Sequence, residues 1–234
     1  MSKNLISKMI CEFLGALAIV FFGCGAVAWG HLPGGENLLN NIPWVFGLTI
    51  SVMIYAVGHI SGAHFNPAVT LAFALVRRFP WRQLPFYWLA QFVGAIVGAA
   101  CILYFSPETS NLGVTQTHLP MLKAILFEAL LSFFLMFVII SVATDSRAVG
   151  TMAGAAIGIT VAMDAFIGGG FTGASMNPAR SFGPALMEKN FSDLWIYFLG
   201  PCLGTCTAAG LYERIRCEAV VADSNSDQDA KGCC

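Results

Sequence analysis

The sequence predicts an all-α, polytopic membrane protein, built of six transmembrane helices and two re-entrant half-helices in an inverted repeat. Three observations predict it. The 234 residues are 57% hydrophobic and only 11% charged, with a mean hydropathy of +0.72, so polar surface is too scarce to coat a soluble globule. Six apolar stretches each approach the roughly 20 residues that cross a hydrocarbon core of about 30 Å. Finally, SGAHFNPAVTLAFAL (61–75) recurs as TGASMNPARSFGPAL (172–186), with seven identities in fifteen positions.

The expected spans lie near 9–30, 42–60, 84–105, 121–143, 149–168 and 194–212. They are rich in Gly and other small residues and lack strict period-two alternation, which favours helices over a membrane barrel. The first span is long, contains Glu12 and precedes five more, so it is read as a retained helix rather than a cleaved signal. Gly94/Gly98, Gly150/Gly154/Gly158 and Gly200/Gly204 recur at four-residue spacing, as helices that approach closely require. Trp29, Trp44, Trp81, Trp88, Trp195 and Tyr197 lie near span ends and are expected to form an interfacial belt.

Lysine and arginine placement sets orientation. With both termini inside, Lys3, Lys8, Arg77, Arg78, Arg82, Arg147, Arg214, Arg216 and Lys231 are cytoplasmic, leaving Lys123, Arg180 and Lys189 outside or in the lumen. Residues 1–214 form one domain, with halves at about 5–108 and 119–214, and 215–234 reads as a flexible cytoplasmic tail. The cysteines show no metal spacing and are read as small apolar residues; neither a metal nor a cofactor is expected. Cys233–Cys234 could carry lipid. Asn190-Phe191-Ser192 is a formal glycosylation sequon close to a span. A net charge of −1 gives no reason to expect nucleic-acid binding.

Each repeat carries an upstream intramembrane carboxylate, Glu12 or Glu128, so the repeat extends to whole halves of three spans. An odd number of spans inserts the two halves in opposite senses. Within the repeat, Asn66-Pro67-Ala68 and Asn177-Pro178-Ala179 each start a helix, because Asn caps well and Pro suits the first turn. Arg77, Arg78 and Pro80 stop the first helix soon after, and Pro184 and Glu188 to Asn190 the second. Both are too short to span. Irregular chain at membrane depth is tolerated only where protein buries it or water lines it, so the segments Gly58–Phe65 and Gly168–Met176 must border a lumen. Opposed half-helices bring two positive dipole ends to the midplane, each about half an electron. There the Asn side-chain oxygens cap and their NH2 groups remain free to donate into the lumen.

These paired boxes in inverted halves, the second followed by Arg180, resemble the aquaporin family over residues 5 to about 214. The resemblance implies a passive pore for water and small neutral solutes, in a homotetramer within the lipid bilayer of the plasma membrane. Charge exclusion by half-helix dipoles and an arginine is already attributed to aquaporin-type pores. The repeat breaks where Val69 becomes Arg180, a cation in a first helical turn where the dipole disfavours it. By resemblance Arg180 joins Phe46, Ala165 and Ala174 in an outer selectivity filter, and His64 lines the cytoplasmic half. Ala165 stands where water-selective members usually carry His, which implies a wider, less polar constriction. TDSRAVG (144–150) and GASMNPARSFGPAL are similar to the nodulin-like intrinsic proteins and their microbial relatives, so a channel primarily for glycerol or metalloid acids is the alternative.

By the same resemblance Glu12 and Glu128 support the re-entrant loops. In a coupled secondary transporter they would instead titrate in the pathway. An adhesion role for the fold is disfavoured by the intact lumen motifs. His59 is expected to support its loop, and Asp164, roughly 100° around the helix from Ala165, to meet a polar partner or an aqueous vestibule. No phosphate loop, ligand cluster or nucleophile triad is present, so no enzyme is expected.

Overall fold

The computed structural model describes residues 3–105, 111–145, 148 and 150–216. Arg147 and the tail from 217 on, with Cys233, Cys234 and Lys231, lie outside the described residues. The helices are α1 (Lys3–Gly30), the single turn α2 (Glu36–Leu39), α3 (Ile42–Ser61), α4 (Pro67–Leu75), α5 (Leu84–Phe105), α6 (Met121–Thr144), α7 (Ala153–Thr172), α8 (Pro178–Glu188) and α9 (Ile196–Ile215). Among the described residues there is no β-strand.

Among the described residues five helices are both long and apolar enough to cross a membrane, where the sequence suggested six. The sixth, α9, matches α3 at 20 residues but carries Pro201, Thr205, Thr207, Glu213 and Arg214. Of these, Thr205 is buried and its Oγ1 donates to Ala68 O at 3.1 Å, whereas Thr207 and Arg214 are exposed. The half-helices have 9 and 11 residues, hence rises of about 14 and 17 Å, roughly half a hydrocarbon core. α4 ends before Arg77, at φ +62. Of the stops expected for α8, Pro184 is passed and the helix ends at Glu188, with Lys189 left-handed at φ 56.

Packing follows the repeat. α1 pairs with α5 and α6 with α9, the first and third helices of each half, while the two middle helices, α3 and α7, meet across the halves. Each half-helix lies on the third helix of the opposite half, α4 on α9 and α8 on α5. Bare glycines make these approaches possible: a Cβ on Gly47 would sit 2.4 Å from Gly158 O, and one on Gly94 would sit 2.3 Å from Phe13 O. Gly150 does not follow the pattern, because its nearest neighbour would be 3.8 Å away. Tyr197 is fully buried and so does not belong to the belt, whereas Trp44, Trp81 and Trp195 are exposed.

The bundle buries a set of polar groups within its apolar interior and turns large apolar side chains outward. Glu12, Glu128, Gln91, Asn66, Asn177 and Arg180 are buried, while Leu48, Val52, Leu126, Leu130, Ile159 and Met163 are exposed. In water this would be unstable; against lipid tails it is the expected arrangement.

Candidate pore

The loops between middle helix and half-helix are built alike. Gly62 and Gly173 close α3 and α7 at φ 89 and 79. Ala63 and Phe65, then Ala174 and Met176, also have positive φ, between 43 and 53. Non-glycine residues there cost roughly 1–3 kcal/mol each and persist only where the surroundings impose them.

The carboxylates impose them. Glu12 Oε1 accepts from Ser61 Oγ (2.7 Å) and His64 N (3.0 Å), and its Oε2 from Phe65 N (2.7 Å) and Gln91 Nε2 (2.8 Å). Glu128 Oε1 accepts from Thr172 Oγ1 (2.6 Å) and Ser175 N (3.0 Å), and its Oε2 from Met176 N (2.8 Å). Tyr87 Oη donates to Ser61 O and Tyr197 Oη to Thr172 O. The sequence reading missed Gln91, Tyr87 and Tyr197. The two tyrosines stand 21 and 20 residues after their box asparagines, a recurrence visible only once the repeat is carried past its best-matching segment.

Asn66 Oδ1 accepts from Ala68 N (2.9 Å), and Asn177 Oδ1 from Ala179 N (3.0 Å) and Arg180 N (3.3 Å). Their NH2 groups are not wholly free. Asn66 Nδ2 donates to Met176 O (2.7 Å) and Asn177 Nδ2 to Phe65 O (2.9 Å). Each amide thus spends one N–H tying its box to the opposite loop and keeps one. Pro67 and Pro178 occupy the first turns, and Ala68 and Ala179 are fully buried behind them.

Two cavities meet inside the bundle. The inner one, of about 530 Å³, is bordered by Asn66, Asn177, His59, His64, Tyr55 and Val69 among others. The outer one, of about 390 Å³, is bordered by Gly113, Gln116, His118, Gly169 and Gly170 among others. Four residues border both: Phe46, Ala165, Ala174 and Arg180. Arg180 is 5% exposed. Its Nη1 donates to Gly113 O at 2.7 Å, and its Cζ lies 5.0 Å from the Phe46 ring centroid, a cation–π distance. Among the described residues it has no carboxylate partner. Phe46 in turn fills the space left by Gly23, where a Cβ would be 2.2 Å from the ring. Gly23 lies in a π-helical stretch of α1, Ile19–Cys24, the kind of local distortion that recurs at functional sites.

His64 Nδ1 lies 3.1 Å from Thr70 Oγ1, and its ring stacks on Phe73 at 4.8 Å. His59 is exposed and borders the inner cavity rather than bracing the loop as expected. Asp164 is 8% exposed, with Oδ2 unpartnered, and borders neither cavity; nothing in the structure explains it. Glu12 and Glu128 also border neither cavity.

The profile of the family described as Major intrinsic protein matches residues 1–212. Aquaporin NIP1-1 of Oryza sativa subsp. japonica is 45% identical over 216 residues, 92% of this chain and 76% of that one. Putative aquaporin NIP4-1 of Arabidopsis thaliana is 47% identical over 214 residues, 91% and 75% of the two chains. In structure, the aquaglyceroporin from Plasmodium falciparum superposes with a TM-score of 0.82 at 24% identity, covering 90% of this chain and 96% of that one. With its helical bundle, mirrored loops and adjoining cavities, this chain is a member of the major intrinsic protein family, a multi-pass membrane protein forming a passive channel for water and small solutes rather than an enzyme.

Proposed function

We propose that the channel passes water and, beside it, small uncharged solutes such as glycerol or metalloid acids. The observation that carries this reading is the junction of the two cavities, where two alanine methyls share the wall with the Phe46 ring and the Arg180 guanidinium. An aromatic face suits a carbon backbone and a fixed fork of donors suits hydroxyls. The large neighbours on α7 leave that gap open. Phe166 and Phe171 are each 50% exposed, with their rings against Trp44 and Phe127, and neither borders a cavity.

Charge is excluded twice in this reading. Arg180 is a buried cation at the junction, and the two half-helix N-termini with their asparagines face the inner cavity as positive ends. The remaining N–H of each box asparagine donates to a passing water oxygen, so that the water's own hydrogens point away along the file. Glu12 and Glu128 hold the loops, and their absence from both cavities disfavours a coupled transporter. We further place the channel in the plasma membrane as a homotetramer with one lumen per subunit, both termini in the cytoplasm. The lysine and arginine bias supports that orientation.

The test is paired. In proteoliposomes, shrinkage against an impermeant osmolyte reports water, and re-swelling in glycerol reports the solute. Ala165→His should cut glycerol flux about tenfold or more while leaving most of the water flux. A parent protein that already excludes glycerol, urea and arsenite would make the channel water-selective. Solute flux far above water flux would favour the glycerol or metalloid channel.

A further inference from the structure

Most glycines facing neighbours in this bundle have a visible reason to be glycine. On Gly158 and Gly204, a Cβ would come within 2.5 and 2.0 Å of backbone oxygens. Gly62 and Gly173 have positive φ. Gly169 and Gly170 have neither reason. Both lie inside α7, and a Cβ on either would meet no atom within 4 Å. Neither packing nor backbone conformation requires glycine at these two positions.

Both border the outer cavity. Gly169 stands four residues beyond Ala165, which puts it on the same helix face about 6 Å further out. The α7 wall of the lumen therefore goes from a methyl group at the junction to bare hydrogen above it. Arg180 borders the same space with its Nε buried and unpartnered. Gln116 and His118, both exposed, bring hydrogen-bonding side chains to the rim.

We propose that Gly169 is a further size-determining position of the channel. It keeps an outer chamber wide enough for a small uncharged polyol to shed water and align before meeting Ala165, Phe46 and Arg180. The inference rests on the reading that solutes larger than water pass. A side chain at 169 would project into the chamber, so it selects by volume, and against polyols more than against water.

The experiment uses the full chain in proteoliposomes. Gly169→Leu should lower the ratio of glycerol to water flux about tenfold, with Gly169→Ala near the parent ratio. A second arm does not depend on solute passage. Gly169→Cys, treated with a bulky membrane-impermeant methanethiosulfonate on both sides, should lose its water flux, while the parent keeps its own because no cysteine borders either cavity among the described residues. A parent that excludes glycerol defeats the solute reading, and the thiol arm still decides whether position 169 faces the path. An unchanged flux ratio in Gly169→Leu, or an unblocked Gly169→Cys, overturns the proposal.

Discussion

Arg180 is the cation that the second copy sets where the first has Val69, and its surroundings make its charge matter. At an effective dielectric of about 20, two unit charges 4 Å apart interact by about 4 kcal/mol, and Arg180 is buried with a backbone carbonyl and an aromatic ring as partners. Arg180→Val should therefore fold and conduct water while its proton or cation leak rises about tenfold or more. A pH-step assay in vesicles reads this, and an unchanged leak with intact water flux would reduce Arg180 to a packing role. The box asparagines act differently, since each has a cap, a cross-link and one spare donor. Asn177→Asp keeps the capping oxygen but loses the bond to Phe65 O and replaces a donor with a negative acceptor. The expected outcome is ion leak or loss of flux; an ion-tight Asn177→Asp with parental water flux would rule out the midplane mechanism.

At the scale of elements, the re-entrant loops are the strained parts and the carboxylates restrain them. Removing Glu128 orphans Thr172 Oγ1, Ser175 N and Met176 N in the interior, at about 1–3 kcal/mol for each unsatisfied group. Glu128→Ala should therefore lower the thermal midpoint in detergent sharply. Glu128→Gln should be intermediate, because it keeps one acceptor but turns an amide donor toward another donor. Equal stability of all three proteins would mean that packing alone holds the loop. Position explains which supports could be read from sequence. Glu12 and Glu128 stand out as charges in apolar spans, and Ser61 and Thr172 lie within the repeated segment. Gln91, Tyr87 and Tyr197 lie on the third helices, whose register against the loops no local pattern reveals.

At the scale of the whole molecule, no carboxylate among the described residues borders the lumen: Glu12, Glu128 and Asp164 all lie off both cavities. A passive channel with no carboxylate carrier in its path should show water flux linear in the osmotic gradient and uncoupled from an imposed proton gradient. Stopped-flow light scattering with and without a protonophore checks this. Saturable flux that follows the proton gradient would restore the coupled-transporter reading.

What the sequence determined by itself is whatever follows from composition, periodicity and repetition. Apolar length puts the chain in a bilayer, and the Asn-Pro starts and nearby stops make half-helices. Duplication with three spans per half sets the opposed insertion. These are local or counting properties, and water, lipid and backbone geometry act on them without reference to distant contacts. Tertiary structure decided how the halves meet: that α4 packs on α9 and α8 on α5, that each asparagine amide is half spent on the opposite loop, and that Tyr197 turns inward. It also decided that His59 faces the cavity while Asp164 does not. Those outcomes depend on the rotation of each helix about its axis. In a chain whose helices are apolar nearly all round, hydrophobic patterning barely specifies that rotation, and close packing at glycines and buried hydrogen bonds settles it instead.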